Sequence, residues 1–296
     1  MALAERLPEP SNPLGLDGIE FIEYATSQPQ AFGALLQKMG FAAVARHRSR
    51  EVMLYRQGGM NLIVNSHASP SGRNALQGTP AVAAIALRVR DAGYAFRRSL
   101  DLGAWEMPTR ASAMELHIPG IHGVGDSLVY FVDRYRDFSI YDVDFVFDGN
   151  ANPKPPAVAG LHWFGVVQAI LPERTADWLD FYATLFGFSV LPQGKYFGVL
   201  PKGTLLESPC HQFYLQLIEP PPGAEEIRWE EGLVRTGLGA PDVPKAVKAL
   251  KDRGVVFVDH GAVQPSDRGA LTQVYLDGVN FELVASQLAT QGRVTP

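Results

Sequence analysis

Four stretches of the chain carry apolar residues at three- and four-residue steps and stop at a glycine: 30–40 (QAFGALLQKMG), 93–103 (GYAFRRSLDLG), 176–187 (ADWLDFYATLFG) and 244–254 (PKAVKALKDRG). In the third, Trp178, Phe181, Tyr182, Leu185 and Phe186 share one helical face. Gly40, Gly103, Gly187 and Gly254 stand where a left-handed C-cap is wanted, so each stretch predicts a helix of about three turns. Ahead of each helix lies an apolar run that reads as a strand: Ile19 to Tyr24, Val82 to Val89, Trp163 to Ile170 and Leu233 to Ala240. Behind the helices come runs rich in β-branched and aromatic residues, among them Val52 to Tyr55, Leu128 to Val132, Phe213 to Ile218 and Phe281 to Val284.

The repeating unit is therefore a strand, a helix and about three further strands, used four times. Two such units side by side make a sheet curled around a space. The expected fold is α+β: tandem βαβββ modules forming two curled mixed β-sheets, with helices on the outside. Segment 148–156 (DGNANPKPP) can continue neither a helix nor a strand. It puts the expected boundary between a first domain of residues 1–150 and a second of residues 151–296.

A length of 296 residues suits two domains. The net charge of -5 is too small to steer partners strongly, and no basic stripe points to nucleic acid. Cys210 is the lone cysteine, which removes a disulfide framework and a cysteine-rich zinc site and suits a reducing compartment. Acids and prolines interrupt the first ten residues, and no run approaches about 18 apolar residues, so neither a secretory signal nor a membrane span is expected. Cytoplasm is the expected location. No phosphate-cradling glycine loop and no Gly-x-Ser-x-Gly elbow occurs, which sets nucleotide and hydrolase chemistry aside. Self-association into a homo-oligomer through sheet edges stays open.

Residues 12–25 (NPLGLDGIEFIEYA), 39–41 (MGF), 47–49 (HRS), 54–58 (LYRQG), 61–65 (NLIVN) and 139–145 (SIYDVDF) resemble the amino-terminal half of 4-hydroxyphenylpyruvate dioxygenases. More loosely, 178–188 (WLDFYATLFGF), 231–233 (EGL), 271–275 (LTQVY) and 280–283 (NFEL) resemble the carboxyl-terminal half of the same family. The resemblance implies a vicinal-oxygen-chelate fold with a structural first domain. In the second domain it implies a ferrous ion, Fe(2+), held by two histidines and a glutamate, which a 2-oxo acid chelates before oxygen is reduced.

Carried over residue by residue, the resemblance puts the glutamate at Glu282, between Phe281 and Leu283 on the last strand. A gap-free count from Glu231-Gly-Leu puts Arg235 at the second histidine, and arginine has no lone pair to offer a metal. Counting back from Phe181-Tyr182 puts Gly165 at the first. Gln273 matches a glutamine that holds substrate in the family. His162, three residues before Gly165, could reach inward through a glycine bulge. His211 and Gln216, just before and within the strand that ends at Ile218, are further candidate ligands for a divalent metal. His47, His67, His117 and His122 show no ligand-like pairing.

Three readings follow. The first, by resemblance, is a non-haem iron dioxygenase acting on an aromatic 2-oxo acid, with a degenerate triad. The second is a metal-free small organic acid binding protein, in which Arg235 grips a carboxylate beside Glu282 and Gln273. The third is a metal-dependent lyase or isomerase of glyoxalase type, built from His162, His211 or Gln216 with Glu282. The expected cofactor is thus iron, another divalent metal, or none, and the expected partner is a small organic acid.

Overall fold

A computed structural model describes residues 11–66, 79–108, 116–192, 197–199, 203–221, 223, 229–260 and 263–287. His67 lies outside the described residues. The first module is β1 (Ile19–Ala25), α1 (Pro29–Lys38), β2 (Ala42–His47), β3 (Val52–Gln57) and β4 (Met60–Asn65). The second is β5 (Ala81–Arg88), α2 (Ala92–Asp101), β6 (Gly120–His122) and β7 (Leu128–Val132), followed by α3 (Ile140–Asp144) and β8 (Phe145–Phe147). The third is β9 (His162–Ala169), α4 (Thr175–Phe186), β10 (Ser189–Val190), β11 (Thr204–Glu207) and β12 (Tyr214–Ile218). The fourth is β13 (Gly232–Ala240), α5 (Val243–Lys251), β14 (Gly269–Leu271) and β15 (Phe281–Ala285).

Every module obeys one rule. Its first strand pairs in parallel with its last: β1 with β4, β5 with β7, β9 with β12 and β13 with β15. Parallel neighbours require a crossover, and the helix is part of it. First strands then pair antiparallel with one another, β1 with β5 and β9 with β13. In the second and fourth modules one return strand shrinks to a single bridge, Glu106 opposite Ile121 and Phe257 opposite Thr272. The glycines that end the helical stretches adopt left-handed φ: +96° at Gly40, +91° at Gly103, +78° at Gly187 and +86° at Gly254. At the other end, Asp91 and Asp242 accept the backbone N–H of Tyr94 and Lys245, capping α2 and α5.

The strand order is β10-β11-β12-β9-β13-β5-β1-β4-β3-β2-β8, with β15 and β14 branching from β13, and β7 and β6 from β5. The two curled sheets thus run together as one unclosed mixed sheet, joined where Leu233 faces Val82. Segment 148–156 contains neither helix nor strand, and the Pro155 carbonyl accepts the N–H of Gly58 at 2.8 Å.

One apolar core runs beneath both halves and includes Ile22, Phe32, Phe131, Phe186 and Phe281. The Tyr24 hydroxyl meets Thr236 Oγ1 at 2.8 Å, and the Phe131 and Phe186 rings lie 6.2 Å apart, tying the first two modules to the last two. A second cluster, with Phe21, Val44, Leu54, Ile63, Tyr141 and Phe145, packs on the opposite face of the first half-sheet. Helix α3 supplies Tyr141 to it. At five residues α3 is too short for a periodicity to register, and a capping box between Ser139 and Asp142 starts it. Among the described residues, no helix is long and apolar enough to cross a membrane.

Candidate ligand site

In the second half, β12, β9, β13 and β15 lie side by side. Gly165 faces Gly237, Gly237 faces Glu282, and Val167 faces Gln216. Phe164, Phe197, Leu205, Tyr214, Gln216 and Glu282 are among the residues lining a cavity of about 480 Å³, counted to its open side.

Its aromatic wall arises from an irregularity. The register between β9 and β13 slips so that Phe164 is an extra residue between Trp163 and Gly165. Such a bulge re-aims a side chain. Trp163 remains in the core, whereas Phe164 turns to the cavity. There its ring stacks on Tyr214 at 5.0 Å and meets Phe197 edge-on at 5.1 Å, with Phe197 and Tyr214 4.9 Å apart.

Strand alternation places Glu282. Phe281 and Leu283 point into the core at 0% exposure, so the carboxylate between them points to the cavity, only 5% exposed. Gly198, at φ +68°, brings backbone so close to Oε1 that a Cβ at 198 would overlap it. Arg235 Nε lies 3.8 Å from Glu282 Oε2, with the arginine side chain 13% exposed. Burial pushes the guanidinium down from its ordinary value while Glu282 raises it. The Nε–H is buried and meets no hydrogen-bond acceptor.

The remaining sequence candidates lie elsewhere. His162 is held by the Gly160 carbonyl at Nδ1 (3.1 Å) and by Ser286 Oγ at Nε2 (3.3 Å), and it does not line the cavity. Burial lowers its pKa, partly offset by the Gly160 hydrogen bond. The bulge that could have brought it inward brings in Phe164 instead. His211 sits at φ +57°, 71% exposed, with Nδ1 3.3 Å from Glu207 Oε1. Gln273 is exposed beyond β14, its backbone N–H donating to Val256 O at 3.0 Å. The structure therefore brings Glu282 and Gln216 into the cavity, sets Arg235 against Glu282 behind the lining, and leaves His162, His211 and Gln273 outside. Sequence reasoning missed Phe164, Phe197 and Tyr214. The one local signal was a glycine, Gly165, inside an otherwise bulky strand.

The ligand set of an iron triad does not fit these residues. Gly165 offers no donor, and a Cβ there would overlap the Tyr214 carbonyl oxygen of the neighbouring strand. Arg235 has no lone pair, and its charge opposes a cation at Glu282. Among the described residues, no three His, Cys, Asp or Glu side chains gather as a metal site.

Parallel-closed βαβββ modules in tandem, with a cavity on the curled face and a carboxylate on the last strand, define a vicinal-oxygen-chelate protein. A family model described as "Hydroxyphenylpyruvate dioxygenase, HPPD, N-terminal" matches residues 11–146. A 4-hydroxyphenylpyruvate dioxygenase of Pseudomonas sp. is 39% identical over 261 residues, covering 83% of this chain and 72% of that protein. "Hemolysin VllY" of Vibrio vulnificus is 35% identical over 264 residues, covering 83% and 73%. Among solved structures, a xylose isomerase-like TIM barrel/4-hydroxyphenylpyruvate dioxygenase fusion protein superposes with TM-score 0.74 at 25% identity, over 97% of this chain and 52% of that one. The chain belongs to the 4-hydroxyphenylpyruvate dioxygenase family. Within it, this is a dioxygenase-like member.

Proposed function

We propose that the second-half cavity takes a small aromatic 2-oxo acid, with 4-hydroxyphenylpyruvate as the first candidate. The observation that carries this reading is the ring wall of Phe164, Phe197 and Tyr214 in the same cavity as Gln216 and Glu282. A planar ring gains about 0.5–1.5 kcal/mol per aromatic partner beyond its area burial. The acidic end of the ligand then meets the polar row.

Dioxygenation is the reaction class that family membership supports, and it is the first reading of any turnover. Among the described residues, Glu282 is the one donor of the triad's type in the cavity, so no oxygen step is derived from them. A divalent cation would have to rest on Glu282, Gln216 and the ligand's own oxygens, against the charge of Arg235. A cytoplasmic setting belongs to the same proposal, supported by the lone Cys210.

Calorimetric titration of the full chain with 4-hydroxyphenylpyruvate, with and without added ferrous iron and beside an oxygen electrode, tests it. Saturable binding is expected. Iron-dependent oxygen uptake would establish dioxygenation, and no binding under either condition would overturn the proposal.

A further inference from the structure

We propose that Arg235 is the carboxylate anchor of this cavity, binding the ligand's acid group directly where the family pattern would chelate it to a metal. This rests on the aromatic 2-oxo acid reading.

A guanidinium carries five N–H donors and cannot accept. Arg235 Nε is buried without an acceptor, and its nearest anionic oxygen, Glu282 Oε2, is 3.8 Å away, outside hydrogen-bond range. Buried donors in folded proteins are nearly always satisfied, so an arginine left in this state has capacity for an acceptor from solvent or a ligand. Among the described residues, none supplies one. Val167 stands directly opposite Arg235 on β9, and the cavity wall beyond is aromatic. Arg235 does not itself line the cavity, but its neighbours Val167 across the β9–β13 ladder, Gly237 two positions on and Glu282 do, which puts the guanidinium at the cavity's edge.

Glu282 has a definite part in this arrangement. Backbone at Gly198 crowds its Oε1, while Oε2 faces Arg235. At 3.8 Å it holds a counter-charge near the guanidinium without taking up its N–H groups. A planar fork with donors along two edges can then serve a second carboxylate, that of the ligand, through two parallel hydrogen bonds. Glu282 is thus a positioning residue and Arg235 the group that touches ligand. Without a metal to be chelated, recognition depends on the acid group itself and requires no cation.

The test titrates the chelator-treated full chain with three probes: 4-hydroxyphenylpyruvate, its carboxylate-free counterpart 4-hydroxyphenylacetone, and pyruvate. The wild type is expected to prefer the aromatic acid over the ketone by about tenfold or more, the range of a charge-assisted hydrogen bond. R235M is expected to abolish that preference while leaving the ketone's affinity unchanged, and R235K to retain part of it. Because R235M removes the positive charge beside a buried carboxylate, R235M/E282Q, which removes both charges, is measured beside it, with E282Q alone as control. Retention of the tenfold preference in R235M/E282Q overturns the proposal. If the wild type binds pyruvate through Arg235 but neither aromatic, the ring reading falls and the anchor stands. If it binds none of the three, both fall.

Discussion

Gly165→Ala asks how firmly packing has closed this cup to the histidine that the family pattern would put there. Gly165 pairs with Tyr214 across the parallel β9–β12 ladder. An added Cβ would overlap the Tyr214 carbonyl oxygen and stand 2.8 Å from its carbonyl carbon, inside the 3.0 Å that real Cβ contacts essentially never breach. Both obstructing atoms are backbone, so no side chain can swing aside. Strand β12 must retreat by about 1 Å, an overpacking strain of about 1–3 kcal/mol. The retreat weakens a ladder hydrogen bond, worth about 1 kcal/mol net, and loosens the Phe164–Tyr214 stack, worth about 0.5–1 kcal/mol. With partial relaxation, the expected loss is about 2–4 kcal/mol. Urea unfolding followed by tryptophan fluorescence measures it. Gly149→Ala is the control, because a Cβ there meets nothing within 4 Å. A Gly165→Ala protein within about 0.5 kcal/mol of wild type would refute the reasoning. If the loss is found, Gly165→His with Arg235→His creates no triad unless β12 also moves.

Three further outcomes are expected. Arg235→Met destabilises by about 2–4 kcal/mol because it removes the positive charge beside buried Glu282, and R235M/E282Q recovers at least about 1 kcal/mol of that; equal losses in the two variants would contradict a charge effect. Thr236→Val leaves the buried Tyr24 hydroxyl without its 2.8 Å partner and costs about 1–2 kcal/mol in the same urea assay, whereas no change would mean the hydroxyl is satisfied otherwise. His162 has a folded pKa held below the ordinary value of about 6.5, so the unfolded chain takes up the proton first. Its contribution is fully present above about pH 6.5 and is lost as the pH falls toward the lowered folded value. His162→Gln should therefore show a shallower fall in urea midpoint between pH 7.5 and 5.5 than wild type, and identical slopes would refute this.

The sequence by itself determined the elements and their order. Apolar steps of three and four marked α1, α2, α4 and α5, and a glycine at each helix end set the stop, because both signals act within a few residues along the chain. Alternation on β15 likewise sufficed to aim Glu282 away from the core, since a regular strand has a fixed side-chain period of two. That period fails at a bulge, and so only the tertiary structure decided that Phe164, and not His162, turns into the cup. Contacts between strands distant in sequence were equally beyond local reading. Ser286 holds His162, and Glu282 meets Arg235, because β13 and β15 are parallel neighbours whose chain connection passes through α5 and β14. The packing of α3 against the first half-sheet also needed the fold, because five capped residues carry no periodicity of their own. What the cavity can bind is set at these joins, where backbone spacing decides which side chains have room and which donors are left without a partner.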